Sequence, residues 1–463
     1  MERLTPLAAA FLEAEDADPA ASLAIGSFAV FEGPAPDFGD FMEAIRGRLP
    51  LIPCYRQKLR TVPFSLATPA WVDDPGFDLR WHIRNTALPA PGGPAEIGRL
   101  MSRVMTRRMD RRRPLWEYWF CEGLAGGRWA LLSKIHHSMV DGVSGTDLYR
   151  LILDPTSEPG APVPDDWQPE PAVGPLRFAA GGAWHLVSTP VAAGQAAVRS
   201  LAAPRRLARF TLESTRGALA LAEAMRPVHD TTLTGPLSGS RRYAWTDLSL
   251  EDVRVARTAY GVTVNDVALT AVTGGFRRLL LARGETPNPH ALRSLVPVST
   301  REPGAESIPD NRVSLMLPYL PVDIADPAER LVAVRKRLRA LRALHEPEAG
   351  RSLTAAAEYG VFPSLSLGMR AAFHLPQRQI ATVTTNVPGP RRTLYALGRP
   401  AVAMLPYVPI ADRVRIGVAM FSYRDTLSFG ITADYDTAPD LQVLADGIAL
   451  SMEELVLDAA LAE

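Results

Sequence analysis

Two adjacent histidines, His136 and His137, close an apolar run in the stretch LLSKIHHSMVDGVSG (residues 131–145), with Asp141 four residues after the second and Gly142 following it. The chain has only 8 histidines, so a side-by-side pair asks for a chemical reading. Three readings fit these residue types. Both rings can be hydrogen-bonded packing groups. His137 and Asp141 can be two ligands of a metal, but no third ligand is spaced nearby, and Gly142 and Ser144 start the following helix only after Asp141. Alternatively one ring is a general base. A neutral imidazole of pKa near ~6.5 accepts a proton at neutral pH, its neighbour can point to the other side, Asp141 can pin the loop, and glycine at 142 lets backbone approach closely.

The elements around the pair must present it. RWALLSKI (128–135) is apolar and strand-like, whereas SGTDLYRLIL (144–153) places Leu148, Leu151 and Ile152 at helical spacing behind Ser144 as an N-cap. The pair thus sits where a strand gives way to a helix, at the mouth of a sheet, where binding groups commonly lie. Residues 1–155 mix strand-like runs such as SLAIGSFAVFEG with helical stretches such as PAEIGRLMSRVMTRRMD, an α/β pattern. DPTSEPGAPVPDDWQPEPAVGP (154–175) is too rich in Pro, Gly and acids to form a packed element and reads as a mobile linker. Ala-, Leu- and Arg-rich helices follow over 176–226. A second α/β region holds the strand-like segments HALRSLVPVST, NRVSLMLPYLPVD, IATVTTNVPGP and VRIGVAMFSYRDTLSFGITADYD and the helical VNDVALTAVTGGFRRLLLARG. The organisation expected is 1–155, a connecting segment 156–235, and 236–463.

Composition narrows the function classes. At 463 residues each half can bury a real core, and 50 basic residues balance 50 acidic ones, so no nucleic-acid partner is expected. Glu13, Glu15, Asp16 and Asp18 occupy the region where a secretory leader would carry an unbroken apolar run, and no segment offers the ~18 apolar residues of a membrane span. These features predict a cytoplasmic protein, at most peripheral on the inner membrane or lipid inclusions. Arg199, Arg205, Arg206, Arg209 and Arg216 among apolar residues are candidates for that contact, packing on the second domain being the alternative. Cys54 and Cys121 are read as small core residues, and no metal is expected.

The segment HHSMVDG matches the HHxxxDG signature of acyltransferases that share the chloramphenicol acetyltransferase-like fold. Around it, RRPLWEYW (112–119), TVNDVALT (263–270), RSLVPVSTR (293–301) and TTNVPGP (384–390), with LTPLAAAFL near the start and SYRDTLSFGITADYD near the end, resemble the bacterial wax ester synthase/diacylglycerol acyltransferase family in the expected order. Ala8 departs from it, standing where the family usually has aspartate. The resemblance implies two chloramphenicol acetyltransferase-like subdomains with mixed sheets and an active-site channel between them. It implies long-chain acyl-CoA as co-substrate, diacylglycerol or a fatty alcohol as acceptor, and no cofactor. By the same resemblance His137 would be the base, His136 and Gly142 would complete the motif, and Asp141 would serve architecture, paired with Arg56 or Arg301. Asn265, Thr384, Thr385 and Asn386 would be candidates to bind the developing oxyanion, although Asn-Asp and Asn-Val-Pro-Gly also make good turns. Trp116 would line the channel or sit in the core. Arg107, Arg108, Arg111, Arg112 and Arg113 would meet CoA phosphates or headgroups, or form a solvated helix face. Other acceptors on the same fold, such as a polyketide or small alcohol, and a non-catalytic lipid-binding or lipid-droplet protein, are the alternatives.

Overall fold

The computed structural model describes residues 2–61, 68–140, 152–171, 174, 226–299, 313–345 and 377–462. Residues 176–225, for which helices are expected, and Asp141, Gly142 and Arg301 lie outside them. The first half runs β1 (Glu2–Arg3), α1 (Pro6–Ala17), β2 (Ala24–Phe31), α2 (Phe38–Arg46), β3 (Gln57–Arg60), β4 (Ala70–Asp73), α3 (Leu79–His82), β5 (Ile83–Ala87), α4 (Pro94–Thr106), β6 (Trp116–Leu124) and β7 (Arg128–His136). The second runs β8 (Arg241–Ser249), α5 (Leu250–Tyr260), α6 (Val264–Ala282), β9 (Ser294–Ser299), β10 (Val313–Met316), α7 (Pro327–His345), β11 (Thr382–Val387), β12 (Tyr395–Ala396), β13 (Arg399–Tyr407), β14 (Ile416–Tyr423), β15 (Thr426–Asp434) and α8 (Leu441–Ala462).

Local sequence explains where these helices begin. Thr5 caps α1 by accepting the Ala8 N–H, with Pro6 at the first helical position, where its missing N–H costs nothing. Ala8, the departure from the family pattern, is therefore a buried residue in the first turn of α1. Glu96 reaches back to the Gly93 N–H at the start of α4, and Thr263 and Asp266 exchange bonds as a capping box on α6.

The strands form two large mixed sheets and a small one of order β1-β4-β3. The first large sheet has order β12-β13-β2-β7-β6-β5, with β5 parallel to β6 and its other pairs antiparallel. The second has order β10-β9-β11-β14-β15-β8, with β11 parallel to both β9 and β14. Beyond Arg128, every residue of β7 is buried, as expected of a central strand covered on both faces. Two strands from the second half, β12 and β13, complete the first sheet, so the chain crosses over late and returns.

Where the halves meet, a side chain would have no room. A Cβ on Gly430 of β15 would lie 1.7 Å from the Pro406 carbonyl oxygen of β13, and one on Gly98 of α4 would lie 2.8 Å from the Tyr243 oxygen of β8. The Tyr243 hydroxyl donates to the Pro406 carbonyl (2.8 Å), and Arg241 donates to the Ala20 carbonyl (2.8 Å).

Among its described residues, the Pro-rich segment after residue 154 forms no helix or strand, as its composition predicts, yet it is held along the first half. Asp154 pairs with Arg48 (2.5 Å) and exchanges main-chain bonds with Tyr395. Val163 N–H donates to the Gly47 carbonyl (2.9 Å), and Glu170 N–H to Asp73 (3.0 Å). Arg56, buried, gives both terminal nitrogens to the Asp165 carboxylate and lies 4.8 Å from the Trp167 ring centre. Isolated main-chain and side-chain anchors at intervals of several residues thus replace the regular ladder that proline forbids.

Candidate active site

The histidine pair ends β7. The His136 N–H donates to the Leu115 carbonyl (2.9 Å) and the His137 N–H to the Leu23 carbonyl (3.0 Å), which anchors both residues to the neighbouring strands. A 3-10 turn, His137–Met139, begins at once, ahead of the helix expected after Asp141. The Ser138 backbone N–H donates to His136 Nδ1 (3.2 Å), and the Ser138 Oγ lies 2.7 Å from the same nitrogen. A ring nitrogen that accepts from a backbone N–H carries no hydrogen, so in the neutral ring the hydrogen sits on Nε2, which faces Glu15 Oε2 at 3.6 Å. That separation exceeds a hydrogen bond and makes the contact electrostatic. His136 is an interior residue that ties the turn to helix α1.

Glu15 is the hub of this arrangement. Its side chain is 3% exposed, and its Oε1 accepts the Leu23 N–H (3.0 Å) while Oε2 accepts from Arg111 (2.8 Å). Burial alone would raise the carboxyl pKa, but His136, Arg111 and the Leu23 N–H outweigh it and hold it at about 2. Arg111 also reaches Asp16 and the Leu12 carbonyl, and Arg108 bonds the carbonyls of Glu15, Asp18 and Ala21. Two members of the arginine cluster therefore fasten the C-terminal end of α1. Arg112 pairs with Asp110, and Arg113 lies 3.9 Å from the Trp81 ring centre. Because α4 stops at Thr106, these residues do not make a helix face, and Arg108 and Arg111 are spent inside the fold. Buried Lys134 performs a related task. Its ammonium bonds the Val104 and Arg107 carbonyls at the C-terminal end of α4, and burial brings its pKa down to about 8.

His137 is the other half of the pair and is only half-buried. Its ring stacks on Phe11, with centroids 4.0 Å apart and planes 21° from parallel. Burial pushes its pKa down to about 4, a hydrogen bond to its own main-chain carbonyl works against that, and His136 adds a smaller lowering. Of the two ring nitrogens, Nδ1 is the one close to the residue's own carbonyl, which leaves Nε2 as the nitrogen further from the main chain. Phe11 and Glu15 are four residues apart and thus on one face of α1. One helix face holds both histidines. Sequence reasoning missed both residues and counted Glu15 only as an acid at odds with a secretory leader. The available signal was the i, i+4 spacing of an aromatic and an acid in the first helix.

In the second half the candidates divide. The Asn386 amide donates to Asn265 Oδ1 (3.1 Å), joining the end of β11 to the first turn of α6. Thr384 is fully buried, with its hydroxyl 2.7 Å from that of Ser294, and belongs to the helix-covered side of the sheet. Thr385 lies on the opposite face. It is registered against Ala419 and, beyond it, Gly430, so it shares the face that packs toward β13. Trp116 is a core residue, 0% exposed. Its indole N–H donates to the Tyr55 carbonyl (2.9 Å), and its ring stacks with Tyr55 and His82 at 4.4 and 4.5 Å. Among the described residues no group of three or more His, Cys, Asp or Glu could hold a metal ion, and no helix is long and apolar enough to cross a membrane.

The histidine pair closes a central strand in one of two interlocked mixed sheets, a recognisable architecture. The first condensation domain of the calcium-dependent antibiotic synthetase shares that fold, with a TM-score of 0.60 over 98% of this chain and 97% of that one at 18% identity. The wax ester synthase/diacylglycerol acyltransferase from Marinobacter aquaeolei VT8 superposes with a TM-score of 0.68, covering 99% of this chain and 100% of that one at 27% identity. The fold is thus the chloramphenicol acetyltransferase-like α/β arrangement with mixed sheets, and the class is acyltransferase. The family follows from sequence. The wax ester synthase/diacylglycerol acyltransferase catalytic domain matches residues 4–268, and the C-terminal domain of the same family matches residues 310–456. The probable diacylglycerol O-acyltransferase tgs1 of Mycobacterium tuberculosis is 42% identical, covering 98% of this chain and 96% of that one. The chain belongs to the wax ester synthase/diacylglycerol acyltransferase family and is an acyltransferase.

Proposed function

We propose that the protein transfers a long-chain acyl group from its CoA thioester to the hydroxyl of diacylglycerol, forming triacylglycerol, or of a fatty alcohol, forming a wax ester, with His137 as general base. The relatives' names supply the substrate classes. The observation that supports the mechanism is the position of His137 at the end of β7, its ring stacked on Phe11 and its pKa held below the ordinary histidine value by burial, so that the ring is neutral at neutral pH. The hydroxyl oxygen attacks the thioester carbonyl carbon as Nε2 takes its proton. The carbonyl π electrons move to oxygen, then return as the C–S bond breaks, and the proton passes to the departing CoA sulfur. No acyl-enzyme forms, and the histidine ends as it began.

A base of low pKa accepts the proton only while negative charge develops beside it, so the imidazolium exists only next to the tetrahedral oxyanion and the leaving thiolate. Thr385, on the sheet face toward β13, is our choice for a hydrogen bond that holds that oxyanion, since the Asn386 amide is already given to Asn265. The acceptors are insoluble in water, so the protein works from the surface of a membrane or lipid inclusion.

The test is conversion of palmitoyl-CoA with dioleoylglycerol or hexadecanol. His137→Ala should remain folded and lose at least ~100-fold in rate. His136→Ala should lose more stability, because Glu15 then keeps a buried charge with one partner fewer. A His137→Ala protein with wild-type turnover would remove the base assignment, and absence of either ester from the wild type would remove the substrate assignment.

A further inference from the structure

Helix α1 meets the His137 ring through an aromatic side chain. Phe11 lies face-on to the imidazole, at 4.0 Å and 21°. A base held at one edge by its own carbonyl can still swing about its χ2 angle, which carries the Nε2 lone pair out of line with the hydroxyl it must reach. Hydrogen bonds weaken steeply with such misalignment. A flat ring packed against one face of the imidazole opposes that swing, whereas an aliphatic side chain of similar bulk fills the space without defining a plane. The platform is itself anchored. Beyond Phe11, α1 is fastened by Glu15 to the Leu23 N–H and Arg111, by Arg111 to the Leu12 carbonyl, and by Arg108 to the carbonyls of Glu15 and Asp18. Phe11 is half-buried, so its other surroundings do not demand an aromatic ring for core volume.

We propose that Phe11 is a positioning residue for the transfer reaction, its ring face setting the plane of His137 so that the Nε2 lone pair is aimed at the acceptor hydroxyl. The proposal rests on His137 being the base. It also assigns a role to the first helix, which otherwise carries only the buried ties of Glu15. Burial lowers the pKa of the imidazole, and Phe11 covers one of its faces.

Phe11→Leu, Phe11→Tyr and Phe11→Ala, compared in the full-length protein with palmitoyl-CoA and dioleoylglycerol, separate these effects. Phe11→Leu should lower kcat by between ~10- and ~100-fold, the scale of a misaimed group, with KM for palmitoyl-CoA changed less than about twofold. Phe11→Tyr, which keeps the flat ring, should recover most of the rate. Phe11→Ala should also move the acid limb of kcat/KM upward, toward the ordinary histidine value of ~6.5, and the His137 ring nitrogens should titrate upward in step by nitrogen NMR. If Phe11→Leu proves insoluble, Phe11→Met repeats the comparison. Unchanged kcat in the leucine or methionine variant overturns the proposal. So does a rate loss shared equally by the tyrosine variant and matched by loss of folded protein. His137→Ala is the separate control. If it is inactive while Phe11→Leu is fully active, only the Phe11 assignment falls. If it is fully active, the base assignment falls first.

Discussion

At the scale of single residues, the buried pairings around the histidines set a definite acid behaviour. Glu15 has a folded pKa of about 2, below its ordinary 4.5. Its contribution to stability is therefore complete above pH 4.5 and is lost as pH falls toward 2, where the folded state must also take up the proton. His137 is likewise depressed, from 6.5 to about 4, so below pH 6.5 the unfolded chain binds the proton first and stability declines until about pH 4. His82, buried and also shifted down, adds to that upper window. Urea midpoints between pH 7 and pH 3 should fall in two stages. His137→Ala should flatten part of the first stage and Glu15→Gln most of the second. At pH 7, Glu15→Gln should cost about 3 kcal/mol, the low end for breaking a buried pair, since Arg111 keeps Asp16. The sequence displayed the histidines because two rare residues stood together. It concealed Glu15 because the meaning of that acid depends on a strand end more than a hundred residues away.

Among the elements, those with strong periodicity were legible. The strands around 24–31, 128–136 and 416–434 and the helices at 94–106 and 264–282 lie where their apolar patterns and caps place them. What periodicity could not convey was which faces meet. Gly430 reads as an unremarkable strand glycine, yet it is where β15 and β13 come closest. Gly430→Ala must force a methyl group against a backbone oxygen. We expect it to cost at least the ~1–3 kcal/mol of an overpacked core, while Gly239→Ala, in open space, should be close to neutral. Denaturant midpoints of the two variants provide the comparison. The same packing logic gives Thr384 and Thr385 different fates. Adjacent residues of one strand face opposite ways, so only Thr385 lies on the side toward β13, and the motif TTNVPGP does not say which threonine that is.

On the scale of the whole molecule, the connecting segment departs most from its sequence reading. Its composition correctly excludes regular structure but gives no sign that Arg48, Arg56 and Asp73 on the first half hold it down. A double-mutant cycle of Arg56→Met and Asp165→Asn should show coupling of about 1–2 kcal/mol in stability. Strict additivity would mean that the segment merely rests there. The crossover of β13 into the first sheet has a consequence for how the chain is made. Strand β2 leaves the ribosome early and pairs with β7 on one side, while its other edge waits for residues 399–407. At ordinary elongation rates that wait is roughly 20 to 70 s. Throughout it, an eight-residue apolar edge is open to the same strand of any neighbouring nascent chain. Slowing translation between the codons for β7 and β13 lengthens that exposure, so it should lower soluble yield without changing the stability of the finished protein, as fractionation of cell extracts beside urea midpoints would check.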